Sequence, residues 1–169
     1  MKCYVALGTN LGNLGINLAA ALEALGERGL PPLAVSSVWE TEPVDTPWPQ
    51  WFWNMVVRVD CDRSPHAVLD TLLGIEQASG RRRGTRNAPR VIDLDLLMME
   101  ALRVDDERLR LPHPRMWERR FVLEPLAEIA PGLRNPDNGR TVQQERLRIR
   151  DRERVRRLGD LASCPARAL

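Results

Sequence analysis

The sequence predicts an α+β fold of the ferredoxin-like kind, β-α-β-β-α-β, followed by an irregular C-terminal extension. Three observations lead there. With 169 residues, 43% of them apolar and 28% charged, the chain is long enough for one domain with a proper core and too apolar for a disordered one. Four short strand-like runs are separated by two stretches of helical spacing, in the order that fold requires. Breaks rich in glycine and proline fall between them.

Cys3 to Leu7 reads as a buried strand that ends at Gly8-Thr9-Asn10-Leu11-Gly12. Asn17 to Leu25 follows as a helix, with Leu18, Leu22 and Leu25 on one face and Gly26 and Gly29 closing it. Leu33 to Thr41 is a second strand, and the prolines at 43, 47 and 49 make Glu42 to Gln50 a loop. Phe52 to Val59 is a third strand. Ser64-Pro65 then opens a second helix, the serine as N-cap and the proline at the first helical position, and Val68, Leu69, Leu72, Leu73 and Ile75 carry it to Gly80. Gly80 to Pro89 is a basic loop, and Val91 to Met98 is the fourth strand. Two helices would cover one sheet face and leave the other free for a site. Residues 1–142 are expected to form the functional domain, and 143–169 an arginine-rich tail that is not a separate domain. The eight arginines between 140 and 157, against Glu145, Asp151 and Glu153, suggest a solvated helix or a frayed tail.

Charge and cysteine usage narrow the function. The net charge is +2, and Lys2 is the single lysine among 25 basic residues. Arginine is the better bidentate phosphate ligand, which makes a polyanionic substrate worth considering. Three widely spaced cysteines and two histidines speak against a disulfide framework and a structural zinc site. No apolar run approaches the ~20 residues a bilayer span needs. Met1 to Leu7 is too short and strand-like for a signal peptide, so a cytoplasmic protein away from membranes is expected; a monomer without a nucleic-acid partner is expected as well.

The segment richest in chemistry is Arg86-Asn87-Ala88-Pro89-Arg90-Val91-Ile92-Asp93-Leu94-Asp95-Leu96-Leu97. Strand alternation sends Ile92, Leu94 and Leu96 one way and Asp93 and Asp95 the other, the two carboxylates roughly 6–7 Å apart along the strand. A solvated strand face would show the same alternation. The arginines at 81, 82, 83, 86 and 90 favour the other reading, in which acids hold Mg²⁺ and arginines hold phosphate at a nucleoside triphosphate site. No G-x-x-x-x-G-K-[ST] loop is present, so phosphate binding would rest on side chains. Asn54, inside an apolar strand beside Trp53, needs a partner, and a heterocycle with alternating donors and acceptors would supply it. Phe52 and Phe121 could equally be core, His113 a turn histidine, and Glu76 a mere partner of Arg81.

Three ordered blocks carry a resemblance that runs from Tyr4 to about Val142: Gly8 to Gly12, Arg86 to Leu97, and Leu111-Pro112-His113-Pro114-Arg115 through Pro131. Together they resemble the 6-hydroxymethyl-7,8-dihydropterin pyrophosphokinase family. The resemblance implies transfer of pyrophosphate from ATP to the pterin's hydroxymethyl group, giving AMP, in folate biosynthesis. It implies two Mg²⁺ ions on Asp93 and Asp95, with Arg81, Arg83, Arg90 and Asp95 as catalytic residues. ATP would meet Glu76, His113 and Arg119. The pterin would meet Thr41, Val44, Phe52, Asn54 and Phe121, its ring between the two phenylalanines. Asn87, Ala88, Trp117 and Leu73 depart from the family pattern, the first two in the loop over the site. That loop, with almost nothing apolar in it, is expected to move without ligand and to close on phosphate, Arg82 having no family counterpart. The rival from another class is an RRM-like RNA-binding module, against which stand the exposed strand acids and the want of an RNP1-like stretch.

Overall fold

In the computed structural model, residues 1–43, 48–80, 89–149 and 154–164 are described. The strands are β1 (Lys2–Thr9), β2 (Pro32–Val35), β3 (Val38–Thr41), β4 (Phe52–Asp60), β5 (Asp93–Met99), β6 (Val104–Asp105), β7 (Arg110–Leu111) and β8 (Val155–Gly159). The helices are α1 (Leu14–Glu27), α2 (Pro65–Ala78), α3 (Arg120–Ile129) and α4 (Val142–Arg148). Six strands form one antiparallel sheet in the order β5-β1-β4-β3-β8, with β2 also paired to β4, while β6 and β7 make a separate hairpin. The fold is thus mixed α/β, an antiparallel sheet with four helices.

Local chemistry explains the helix starts. The Ser64 side chain accepts from the Ala67 N–H with Pro65 behind it, and α2 begins where expected. Helix α1 begins three residues earlier than expected, because Asn13 accepts from the Ile16 N–H and Leu14 is itself fully buried. The expected strand over Leu33–Thr41 is two strands. At the break, Ser36 Oγ accepts from the Val56 N–H at 2.9 Å and donates to the Ser37 carbonyl at 2.8 Å, and the Ser37 N–H donates to Glu128. Side-chain oxygens there take over the backbone ladder's role, and the chain changes partners.

Strand alternation splits the core in two. On one face Cys3, Val5 and Leu7 of β1, Met55, Val57 and Val59 of β4, and Leu94 and Leu96 of β5 pack under α1 and α2. On the other, Tyr4, Val56, Leu97 and Met98 pack against Val122, Leu123 and Leu126 of α3 and Val142 of α4. The second face is therefore not free along its whole length, contrary to expectation: α3 and α4 cover the Tyr4 end. Toward the Gly8 end, Asn54, Gly8 and Asp93 lie side by side across β4, β1 and β5, and Val56, Ala6 and Asp95 form the adjacent row. The side chains shrink or become polar there, and the face opens.

Of the solvated helix or frayed tail expected over residues 140–157, a helix is found at Val142–Arg148, though Val142 and Glu145 are buried in it, and a strand follows. Residues 155–159 form β8 and pair with β3. Three ion pairs hold that strand: Arg154 to Glu42, Arg156 to the buried Glu40, and Arg157 to Glu128. Helix α4 is fixed at its start by Thr141 and Gln144, whose side chains each accept from the other's backbone N–H.

Candidate active site

An open cavity of about 290 Å³ lies on the uncovered part of the second face. Its floor is β1, where Ala6 and Gly8 carry almost no side chain. Strand β5 brings Asp93 and Asp95 to one wall, β3 and β4 bring Thr41, Phe52 and Asn54 to the opposite one, and Phe121 of α3 closes the side. Arg90, His113 and Arg119 complete the lining. Nine residues expected at a site from sequence thus share one cavity. The tenth described one, Glu76, is only 2% exposed and lies behind β5, its carboxylate accepting from the Leu94 N–H at 2.7 Å. It lines a second, adjoining cavity of about 450 Å³, between α2 and the β6–β7 hairpin, to which Asp93, Asp95 and His113 also belong. Arg81, Arg83 and Val44, together with the departures at Asn87 and Ala88 and most of the expected lid, lie outside the described residues.

The acids and bases are interlocked. Arg90 Nη1 donates to Asp93 Oδ2 at 2.7 Å, and Arg119 Nη1 stands 3.9 Å from Asp95 Oδ2. The Gly8–Gly12 turn explains its own presence: Asn10 Oδ1 accepts from the Arg90 N–H at 2.8 Å while the Asn10 N–H donates to the Arg90 carbonyl, clamping Arg90 beside the aspartates. Arg119 also lies over the Phe121 ring, 5.3 Å from its centroid, so one guanidinium links the acidic wall to the aromatic side. Burial, with help from Arg119, pushes the His113 pKa down to about 4, against the weaker opposing pull of Asp93. The ring is neutral at pH 7. Its Nδ1 accepts from the Arg115 N–H at 3.2 Å, which leaves the proton on Nε2 as a donor.

The opposite wall is polar, and its geometry is fixed. Asn54 is 7% exposed, and its Nδ2 donates to Thr41 Oγ1 at 2.8 Å, which fixes the amide's orientation. A Cβ on Gly8 would come within 3.0 Å of Asn54 Oδ1, so glycine lets that oxygen stand over the floor.

Among the described residues, no three or more His, Cys, Asp or Glu side chains gather to hold a metal. Two carboxylates alone suit Mg²⁺, which keeps waters and takes phosphate oxygens as its remaining ligands, better than they suit zinc. Sequence reading placed Gly8 in a motif but not in the site, and did not single out Ala6 and Glu42 of this lining or Arg108 and Arg110 of the second cavity. Ala6 and Gly8 had a signal: small residues two apart in a strand mark a face that something approaches closely.

A family model described as 7,8-dihydro-6-hydroxymethylpterin-pyrophosphokinase matches residues 4–131. A 2-amino-4-hydroxy-6-hydroxymethyldihydropteridine pyrophosphokinase of Methylorubrum extorquens is 45% identical over 133 residues, 78% of this chain and 84% of that protein. A protein of the same name from Pseudomonas aeruginosa is 42% identical over 139 residues, 80% of this chain and 85% of its own. The wild-type HPPK-DHPS crystal structure of Plasmodium falciparum with SDX-DHP superposes with a TM-score of 0.66 at 15% identity, over 86% of this chain. That match takes in only 44% of the Plasmodium chain, and at such identity it speaks for the fold. No described helix is long and apolar enough to cross a membrane.

Proposed function

The chain belongs to the 7,8-dihydro-6-hydroxymethylpterin-pyrophosphokinase family, and from that premise we propose how its two cavities divide the reaction. The enzyme transfers pyrophosphate from ATP to the hydroxymethyl group of 6-hydroxymethyl-7,8-dihydropterin in folate biosynthesis. The RNA-binding alternative finds no support in that family. One observation carries the assignment of the cavities: Asp93, Asp95 and His113 line both, so a ligand in each would meet at the same two carboxylates.

The pterin takes the first cavity, its ring between Phe52 and Phe121 and its polar edge on Asn54, with Thr41 holding the amide. Val44 is assigned to the same pocket. ATP takes the second, near Glu76, with its phosphates reaching Arg90, His113 and Arg119. The pterin hydroxyl oxygen attacks the β-phosphorus, the bond to the α-phosphate oxygen breaks, AMP leaves, and the hydroxyl proton passes to solvent. Asp93 and Asp95 would hold two Mg²⁺ ions. Bound Mg²⁺ supplies charge neutralisation on the triphosphate and lowers the pKa of a coordinated hydroxyl. Arg90 and Arg119 offset charge on the phosphates, and the neutral His113 donates from Nε2 without adding charge. Arg81 and Arg83 are assigned to the same task. We read the sheet order β5-β1-β4-β3 as the ferredoxin-like arrangement, extended by β8.

AMP formation from ATP, followed with each component left out in turn, tests this reading. Formation that requires both the hydroxymethyl-dihydropterin and Mg²⁺ is expected. AMP released equally without the pterin would refute it.

A further inference from the structure

Arg154, just ahead of β8, pairs with Glu42, a residue of the first cavity's lining. The Glu42 N–H donates to the Arg154 carbonyl at 3.1 Å, the Arg154 N–H donates to Glu42 Oε1 at 2.7 Å, and Arg154 Nε donates to Glu42 Oε2 at 2.9 Å. Glu42 lines the cavity next to Thr41. The same guanidinium lies over the Trp51 ring, 5.4 Å from its centroid, and Trp51 precedes Phe52. Thr41 and Phe52 are register partners at the ends of β3 and β4. One arginine therefore grips the residue after Thr41 and the residue before Phe52. Both of its attachments lie next to the wall assigned to the pterin.

We propose that Arg154 is a positioning residue for the pterin half of the site, an inference that rests on the cavity assignment above. It acts in two ways. It braces the strand ends that present Thr41 and Phe52, and it occupies both oxygens of the Glu42 carboxylate. Released, that carboxylate and the water it would then bind would be free to turn into the cavity assigned to the pterin. Its pKa, held below the ordinary carboxylate value by the Arg154 hydrogen bonds, agrees with a charge that is fully engaged. The Arg154 side chain is 79% exposed and that of Glu42 22%, so the pair is accessible to salt and its effect on binding is moderate.

Steady-state kinetics of the full chain, with pterin and ATP varied separately at low and high ionic strength, test the role. Arg154→Ala should raise the KM for the pterin about three- to ten-fold, more than it alters kcat or the KM for ATP. Arg154→Lys, which keeps the charge and loses the planar fork, should show a smaller rise, and so should Glu42→Gln, which weakens the brace but leaves no stray negative charge. Salt should raise the wild-type pterin KM and leave that of Arg154→Ala nearly flat. Arg103→Ala is the control, because Arg103 makes an exposed pair with Asp137 and lines neither cavity. An unmoved pterin KM in Arg154→Ala overturns the role of Arg154 alone. So does a parallel rise in both KM values together with a lowered melting temperature, or the same effect from Arg103→Ala. A wild-type protein that forms no pterin-dependent AMP overturns the cavity assignment itself, and the role of Arg154 with it.

Discussion

Gly8 faces Asn54 across the β1–β4 pair with no space to spare, since a Cβ would stand 3.0 Å from the amide oxygen. Gly8→Ala should keep the fold and push the amide off its bond to Thr41, weakening pterin binding several-fold while ATP binding holds. Calorimetry with a non-reactive ATP analogue and the pterin separates the two, and equal losses would mean that the floor serves both ligands. Asn54→Leu goes further, leaving the ligand's polar edge without a partner at about 1–3 kcal/mol. On the opposite wall, Asp95→Asn keeps shape and loses charge. Turnover at saturating Mg²⁺ should fall by orders of magnitude, because metal neutralisation of transferring phosphate is worth several kcal/mol. A variant folded by circular dichroism with wild-type turnover would remove Asp95 from the chemistry.

Among the elements, β8 depends on side chains far from it in the chain. Glu128 of α3 accepts from the Ser37 N–H at 2.6 Å, Trp39 Nε1 at 3.2 Å and Arg157 Nε at 2.9 Å, joining the β2–β3 break, β3 and β8. Glu128→Ala leaves the part-buried Ser37 N–H unpaired and should cost about 1–3 kcal/mol in urea unfolding. A cost near zero would mean that backbone pairing and the other two ion pairs hold the strand without Glu128. This dependence also explains what could be read from the sequence. Helix α2 and the in-out order of β5 were legible because their causes are local: a Ser-Pro start, and alternation of leucine with aspartate. The break at Ser36 was not, because it needs Val56, twenty residues away. Strand β8 was hidden further still. Arg156 and Arg157 look solvated until Glu40 and Glu128 are set beside them, and nothing near them in the chain names those partners. At the site the motif residues were legible by type and spacing, whereas Glu42 gained its place only when Arg154 was brought 112 positions back along the chain.

The molecule as a whole places its chemistry where two helices stop covering a sheet and the strand residues turn small or polar. That partial burial has a cost at low pH. The pKa of His113 is about 4 in the fold against an ordinary 6.5, so between those values the unfolded chain binds a proton that the native state refuses. Stability from this group is therefore complete above about pH 6.5 and declines as pH falls toward 4. Melting temperatures from pH 7.5 to 4.5 should drop more steeply for wild type than for His113→Asn, which keeps an acceptor for the Arg115 N–H; parallel curves would show that the neutral ring contributes nothing. The pairing of β3 with β8 has a further consequence, one of timing. A ribosome makes β3 more than a hundred residues before β8, and for that interval β3 is an uncovered sheet edge whose inward-facing Glu40 has yet to meet Arg156. Bare edges recruit other strands. The growing chain thus carries β3 as an unpaired edge, with a charge set into it, from the time β3 meets β4 until β8 is made.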